Sequence, residues 1–220
     1  MIKGISKMVS VVFHPLFIIT YVTVFYLAID PYGFGVPSIG EQVPFILMIF
    51  FTTAIIPIIA VLLMKFLGLV QSLELKEAKE RIGPYIITGI FYIWLTVNLF
   101  NNNEVPKLYV IFILGSAIGL FVSFFINNFV KISAHGVGMG GMLGFFLLLL
   151  QSPVQKVWFE LSSSQAIGIP VIFFFLLVVL LTGIVGTSRL LLKAHEAEEV
   201  MQGVLVGLSS VFFAMAFIGM

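Results

Sequence analysis

The sequence predicts an all-α integral membrane protein: a single domain over residues 1–220, built as a bundle of six to seven transmembrane helices with its polar site at one membrane face. Composition is the first reason. Of the residues, 60% are hydrophobic, 24 are Phe, and the mean hydropathy is +1.19. Charge is the second: only 11 Lys and Arg and 10 Asp and Glu are present, whereas a soluble domain devotes about a quarter of its residues to charge. So few charges cannot cover a globule in water. The third is run length. The apolar residues gather in stretches close to the roughly 20 that a helix needs to cross a hydrocarbon core, and no barrel-like alternation appears between them.

Seven stretches meet that requirement, at 8–30, 43–67, 84–100, 108–130, 136–151, 166–187 and 200–220. The first has a basic start like a signal peptide. Its apolar run is too long for a cleaved h-region and lacks a small-x-small site, so it reads as a retained span. The third opens at Pro84, a residue suited to the first turn of a helix. The third and fifth are short, which fits little tilt or partial burial within the bundle. Connections 31–42, 101–107 and 152–165 are rich in Pro, Gly, Asn and Ser and read as ordinary turns, with Tyr32 and Trp158 as interface aromatics.

The remaining connections are QSLELKEAKERIGP (71–84), KISAH (131–135) and the link within SRLLLKAHEAEEV (188–200). Each follows an even number of crossings, so all three fall on the membrane face that also holds the N-terminus. Zero Cys excludes disulfides and thiolate metal sites. A net charge of +1 without a basic stripe excludes a nucleic-acid partner. No cofactor motif is present.

The third connection carries the sharpest chemistry. His195 and Glu199 are four apart, so on a helix they share a face and can hydrogen-bond. A carboxylate on one ring nitrogen fixes the tautomer and leaves the other as a directed base or nucleophile. Arg189, a natural fork for phosphate oxygens, lies six residues before His195, about 120° away on a helix. Convergence needs the reach of its side chain or a break in the helix. Lys131, Ser133 and His135 precede a glycine-rich helix start that favours an anion, and Lys76, Lys79 and Arg81 precede Gly83-Pro84. Lys3, Lys7 and Lys65 read as snorkelling cations, His14 beside Pro15 as interfacial or structural, Gly140, Gly141 and Gly144 as close-packing glycines, and Glu77 with Arg81 as a surface pair. Two His and a Glu also suggest a metal, but the surrounding Arg and Lys repel a divalent cation, so the expectation is no metal.

These residues resemble the signatures of the type 2 phosphatidic acid phosphatase (PAP2) superfamily. Ser188-Arg189, five residues, His195, three residues, Glu199 is similar to the third signature, with Glu in place of Asp. ISAH (132–135) resembles the second, Pro-Ser-Gly-His, keeping Ser133 and His135. Arg81 resembles the Arg of the first, although Glu74 stands where a Lys is expected and Ile82-Gly83 intervene before Pro84. The similarity spans about 120 residues and suggests a small, divergent bacterial branch in the inner membrane. It implies metal-independent catalysis through a phosphohistidine: His195 as nucleophile, Glu199 orienting it, His135 as general acid and then base. It further implies that Arg189, Arg81, Ser133, Ser188, Lys131, a Lys76 or Lys79 stand-in, and a backbone N–H near Gly136 hold the phosphoryl oxygens.

A polar site on a bundle with little soluble structure points to a lipid-borne phosphate, an isoprenyl diphosphate or a glycerophospholipid phosphate, with hydrolysis or phosphotransfer as the outcome. The bilayer is the other partner, and a homo-oligomer is left open. Nine cations lie on the motif face against Lys107 and Lys156 opposite. Setting aside five proposed phosphate ligands leaves four against two, so the positive-inside rule does not decide orientation. The rival readings are an anion transporter and a catalytically inactive lipid-phosphate binder.

Overall fold

The computed structural model describes residues 2–72, 78–162 and 165–219. They form nine α-helices and one β-hairpin: α1 (Ile2–Val12), α2 (Pro15–Ile29), α3 (Val43–Phe50), α4 (Ile56–Phe66), α5 (Ala78–Phe100), α6 (Lys107–Asn127), α7 (Ala134–Leu149), β1 (Lys156–Ser162), β2 (Gln165–Pro170), α8 (Val171–Leu191) and α9 (Ala197–Ile218). Five segments among them are long and apolar enough to cross a membrane: 39–66, which contains α3 and α4, then α5, α6, α8 and α9. The bent pair α1–α2 makes a sixth if it counts as one span. This is the build of a multi-pass helical membrane protein. The stretch expected at 136–151 is α7, whose 16 residues rise about 24 Å, short of a hydrocarbon core of about 30 Å. It lies inside the bundle, packed by α2, α6, α8 and α9.

Two expectations are corrected. The first span, read as continuous over 8–30, is broken: α1 and α2 meet at 61°. Proline disfavours helical backbone in the residue before it, and His14 is extended, with φ −63 and ψ 137, while Pro15 opens α2. The stretch at 152–165, read as a simple turn, contains β1 and begins β2, paired antiparallel with Trp158 opposite Gly168. Val157 is buried while Trp158 is exposed, the two-residue alternation of a half-buried strand. The following helix therefore starts at Val171 instead of 166. Within 43–66 the helix runs through a wide π turn, Phe51–Ile55, just ahead of Pro57. That turn absorbs the clash a helical proline imposes on the carbonyl four residues earlier.

The centre of the bundle is held by glycine. Gly136, Gly140 and Gly144 of α7 lie against α9, where a Cβ on Gly140 would run into the Val204 backbone and one on Gly144 would approach Val211 Cβ to 2.9 Å. Gly203 and Gly207 answer from α9, each against backbone of α7 or its cap. Spacing by four puts each set on one helix face, the small-residue seam that lets membrane helices approach closely. At the bundle end holding the hairpin, buried rings close the core: Tyr26, Phe34, Tyr109, Phe112 and Phe145 meet in pairs with centroids such as 5.4 Å and 5.3 Å apart. Thr23 Oγ1 and Tyr109 OH share a hydrogen bond of 2.6 Å there.

Candidate active site

At the other end, the starts of α2, α5, α7 and α9 meet the ends of α6 and α8. Of the two routes to convergence of Arg189 and His195, a break in the helix is present: α8 stops at Leu191, the chain turns through 192–196 with Lys193 at φ 52, and α9 begins at Ala197. His195 thus sits in the link and not on a helix with Glu199, yet the pair forms, with His195 Nδ1 2.7 Å from Glu199 Oε2. The start of α9 explains how. Glu196 is its N-cap and Glu199 its third residue, in a capping box where Glu199 Oε2 accepts the Glu196 N–H at 3.2 Å. That turn aims the carboxylate back at the imidazole. Lys131 Nζ donates to Ala194 O at 2.6 Å and lies 3.5 Å from Glu199 Oε2, and Ser133 N–H donates to Glu199 O at 3.2 Å. The α6–α7 loop is clasped onto the α8–α9 link.

Three imidazoles, not two, reach this place. His135 Nε2 lies 2.9 Å from Ser10 O. A carbonyl only accepts, so the proton is on Nε2 and Nδ1 carries the lone pair. By the same logic Glu199 holds the proton of neutral His195 on Nδ1 and leaves Nε2 as a lone pair. His14 accepts the Leu16 N–H through Nδ1 at 3.4 Å, so its proton is on Nε2. Its ring stands edge-on to His135 with centroids 5.4 Å apart. Among the described residues, each ring has one nitrogen engaged with protein and the other without a protein partner. Arg189 is close enough to act electrostatically on all three rings.

These groups line the mouth of a cavity of about 400 Å³. His14, Arg81, His135, Arg189 and His195 supply its polar end, and Arg81 Nη1 donates to Asn127 Oδ1 at 2.8 Å. From there it runs inward past Thr88, Val61, Leu120, Gly119, Gly141 and Tyr92. Along α5, from Arg81 to Tyr92, eleven residues correspond to about 16 Å of helix. A Cβ added at Gly141 would meet nothing within 4 Å, since it faces this space. Gly141, expected as a packing glycine, is therefore a wall of the cavity.

Other expected residues stand apart from it. Ser188 is buried and donates to Ile184 O in its own helix. Ser133 caps α7 by accepting the Gly136 N–H at 3.3 Å, so that N–H is already engaged, and Gly136 serves contact with α9. Lys131 braces Glu199 outside the cavity lining. Lys79 is exposed and does not line it. Lys76, Glu74 and Glu77 lie outside the described residues. Sequence reasoning missed His14, Asn127, Tyr85 and Ser123 as neighbours of the site. The signal for His14 was available, because a His-Pro step breaks a span where a polar side chain can face the bundle. Among the described residues, no group of three His, Asp or Glu side chains is arranged as ligands of one metal ion.

Burial pulls His195 down to about 4. The hydrogen bond that His195 donates to Glu199 opposes this, while the charges of Arg189 and Lys131 add to it. The folded protein therefore binds fewer protons here than the unfolded chain between about pH 6.5 and 4. Stability from this group is present above that window and lost as pH falls through it. Carbon-13 NMR of labelled histidine in micelles, assigned with His195→Asn, should show His195 titrating near 4. Lys131→Met should move the midpoint up and Glu199→Gln should move it down, whereas a wild-type midpoint at the ordinary histidine value contradicts this environment.

Comparison with protein-family models, with curated proteins and with solved structures finds no match to this chain, so the geometry and the chemistry of its residues carry the functional reading.

Proposed function

We propose that the protein is a membrane lipid-phosphate phosphatase or phosphotransferase of the PAP2 type, working at one face of the cell membrane through a phosphohistidine. The observation that carries this reading is the cavity: an imidazole- and guanidinium-lined mouth that continues into an apolar gallery inside the bundle. A phosphate fits the first and its hydrocarbon tail the second. At the low end of the range of ligand pockets, about 300–1,000 Å³, the volume suits a single chain, as in an isoprenyl diphosphate.

The chemistry follows from the free nitrogens. His195 Nε2 attacks phosphorus, a P–N bond forms, the P–O bond to the leaving group breaks, and His135 Nδ1, whose lone pair has taken the acidic proton of a phosphate O–H, passes that proton to the departing oxygen. Glu199 stabilises the cationic imidazole at Nδ1. Water, or an acceptor hydroxyl, then attacks phosphorus while His135 Nδ1 takes its proton, and the P–N electron pair returns to His195. Arg189 and Arg81 neutralise the phosphoryl oxygens, the main requirement of phosphoryl transfer. The anion-transporter reading finds less support, because buried aromatic side chains close the bundle core beyond the gallery.

Phosphate release by the purified chain in detergent with EDTA tests the proposal, offering farnesyl diphosphate, undecaprenyl diphosphate and phosphatidate. Release from a lipid supports it, and no release from any of the three overturns it. The gallery makes a second prediction. Gly141→Phe fills space that no side chain occupies, so the ratio of long-chain to short-chain turnover should fall about tenfold or more. An unchanged ratio places the tail outside the bundle.

A further inference from the structure

A two-histidine phosphoryl transfer leaves one imidazole at the mouth unused. We propose that His14 binds the substrate's phosphate, its Nε2–H donating to a phosphoryl oxygen beside His135; this rests on the phosphatase reading above. Position comes first: the ring lines the cavity with Arg189 and stands 5.4 Å, edge-on, from His135. Chemistry comes second. With Nδ1 accepting from Leu16, neutral His14 presents a donor and nothing else toward the cavity. A neutral donor beside Arg189 binds an anion without crowding a further cation into the mouth.

Local structure gives the third argument. His14 is the N-cap of α2, a position where Ser, Asp or Asn holds the helix better. Its capping bond is long, 3.4 Å, so capping alone gives no reason for an imidazole here. The 61° break between α1 and α2 brings the start of α2 to the cavity, where Pro15 and Leu16 are also part of the lining. The first span thus supplies a binding group from a segment outside the three motif-bearing connections.

The two roles separate in two variants. His14→Ser keeps a capping oxygen but cannot reach the cavity. His14→Gln carries an amide N–H near the position of Nε2–H and caps less well. The experiment measures binding of inorganic phosphate to the full chain in detergent by phosphorus-31 line broadening, with melting temperature and farnesyl diphosphate turnover in parallel. His14→Ser should melt like the wild type and bind phosphate about tenfold more weakly, the scale of one hydrogen bond to a charged group. His14→Gln should recover binding to within a few-fold. Wild-type binding in His14→Ser, with turnover still dependent on His195, overturns the role of His14 and leaves the phosphatase intact. Weakening that tracks a lower melting temperature and is not restored by Gln also overturns it, in favour of capping alone. If the wild type neither binds phosphate nor shows His195-dependent turnover, both readings fall.

Discussion

Replacing His195 with alanine is expected to remove nearly all phosphate release, on the order of a thousandfold or more, because a covalent path loses its nucleophile. The companion substitution, Glu199→Gln, separates two duties of one carboxylate. Glutamine can complete the capping box as glutamate does, so the start of α9 and the melting temperature should hold. The amide lacks the charge that holds Nδ1–H and stabilises the cationic imidazole, so turnover should drop between about a hundredfold and 10⁴-fold. Both variants need to be assayed as folded protein with EDTA present. Equal release by His195→Ala and wild type would remove the phosphohistidine from the reading and shift weight to lipid-phosphate binding without turnover. A large loss of stability in Glu199→Gln would mean the carboxylate mainly holds the link.

What the sequence made legible follows from which forces act locally. Long apolar runs are visible because a bilayer demands them; the count of seven crossings is not reproduced, since α7 is shorter than a crossing, yet residues of the three polar connections, Arg81, His135, Arg189 and His195, do meet at the cavity mouth. The His195–Glu199 pair was legible from spacing alone, although a helix start creates it in place of a helix face. Illegible features depend on contacts across the bundle. The hairpin at 156–170 has too short an alternation to stand out from a turn. Lys79 and Arg81 are two residues apart, yet only Arg81 turns into the cavity. His14 looked interfacial because its place beside the cavity depends on where His135 of a distant helix comes to rest.

Neighbouring glycines on α7 give the second large effect, and its sign is the test. An alanine in place of glycine normally favours a helix by about 1 kcal/mol. At Gly140 and Gly207 the added Cβ meets backbone of the opposing helix, Val204 and Val137 respectively, and no rotamer relieves it. Gly140→Ala and Gly207→Ala should therefore destabilise by about 1–3 kcal/mol, as overpacking does, lowering the melting temperature by roughly 2–12 °C for a chain of this size. Gly141→Ala, one position along and facing open space, should melt at or above the wild type. Thermal melting of the three variants in one detergent decides it, and a wild-type melt in Gly140→Ala would mean the α7–α9 seam is looser than its glycines require. Activity should follow the same order. His135 rides on α7, and His195 hangs from the start of α9, joined across the seam by the Ser133 N–H bond to Glu199 O. Any widening there moves His195 away from His135, so in the proposed phosphoryl transfer a fraction of an ångström at a glycine would be felt at phosphorus.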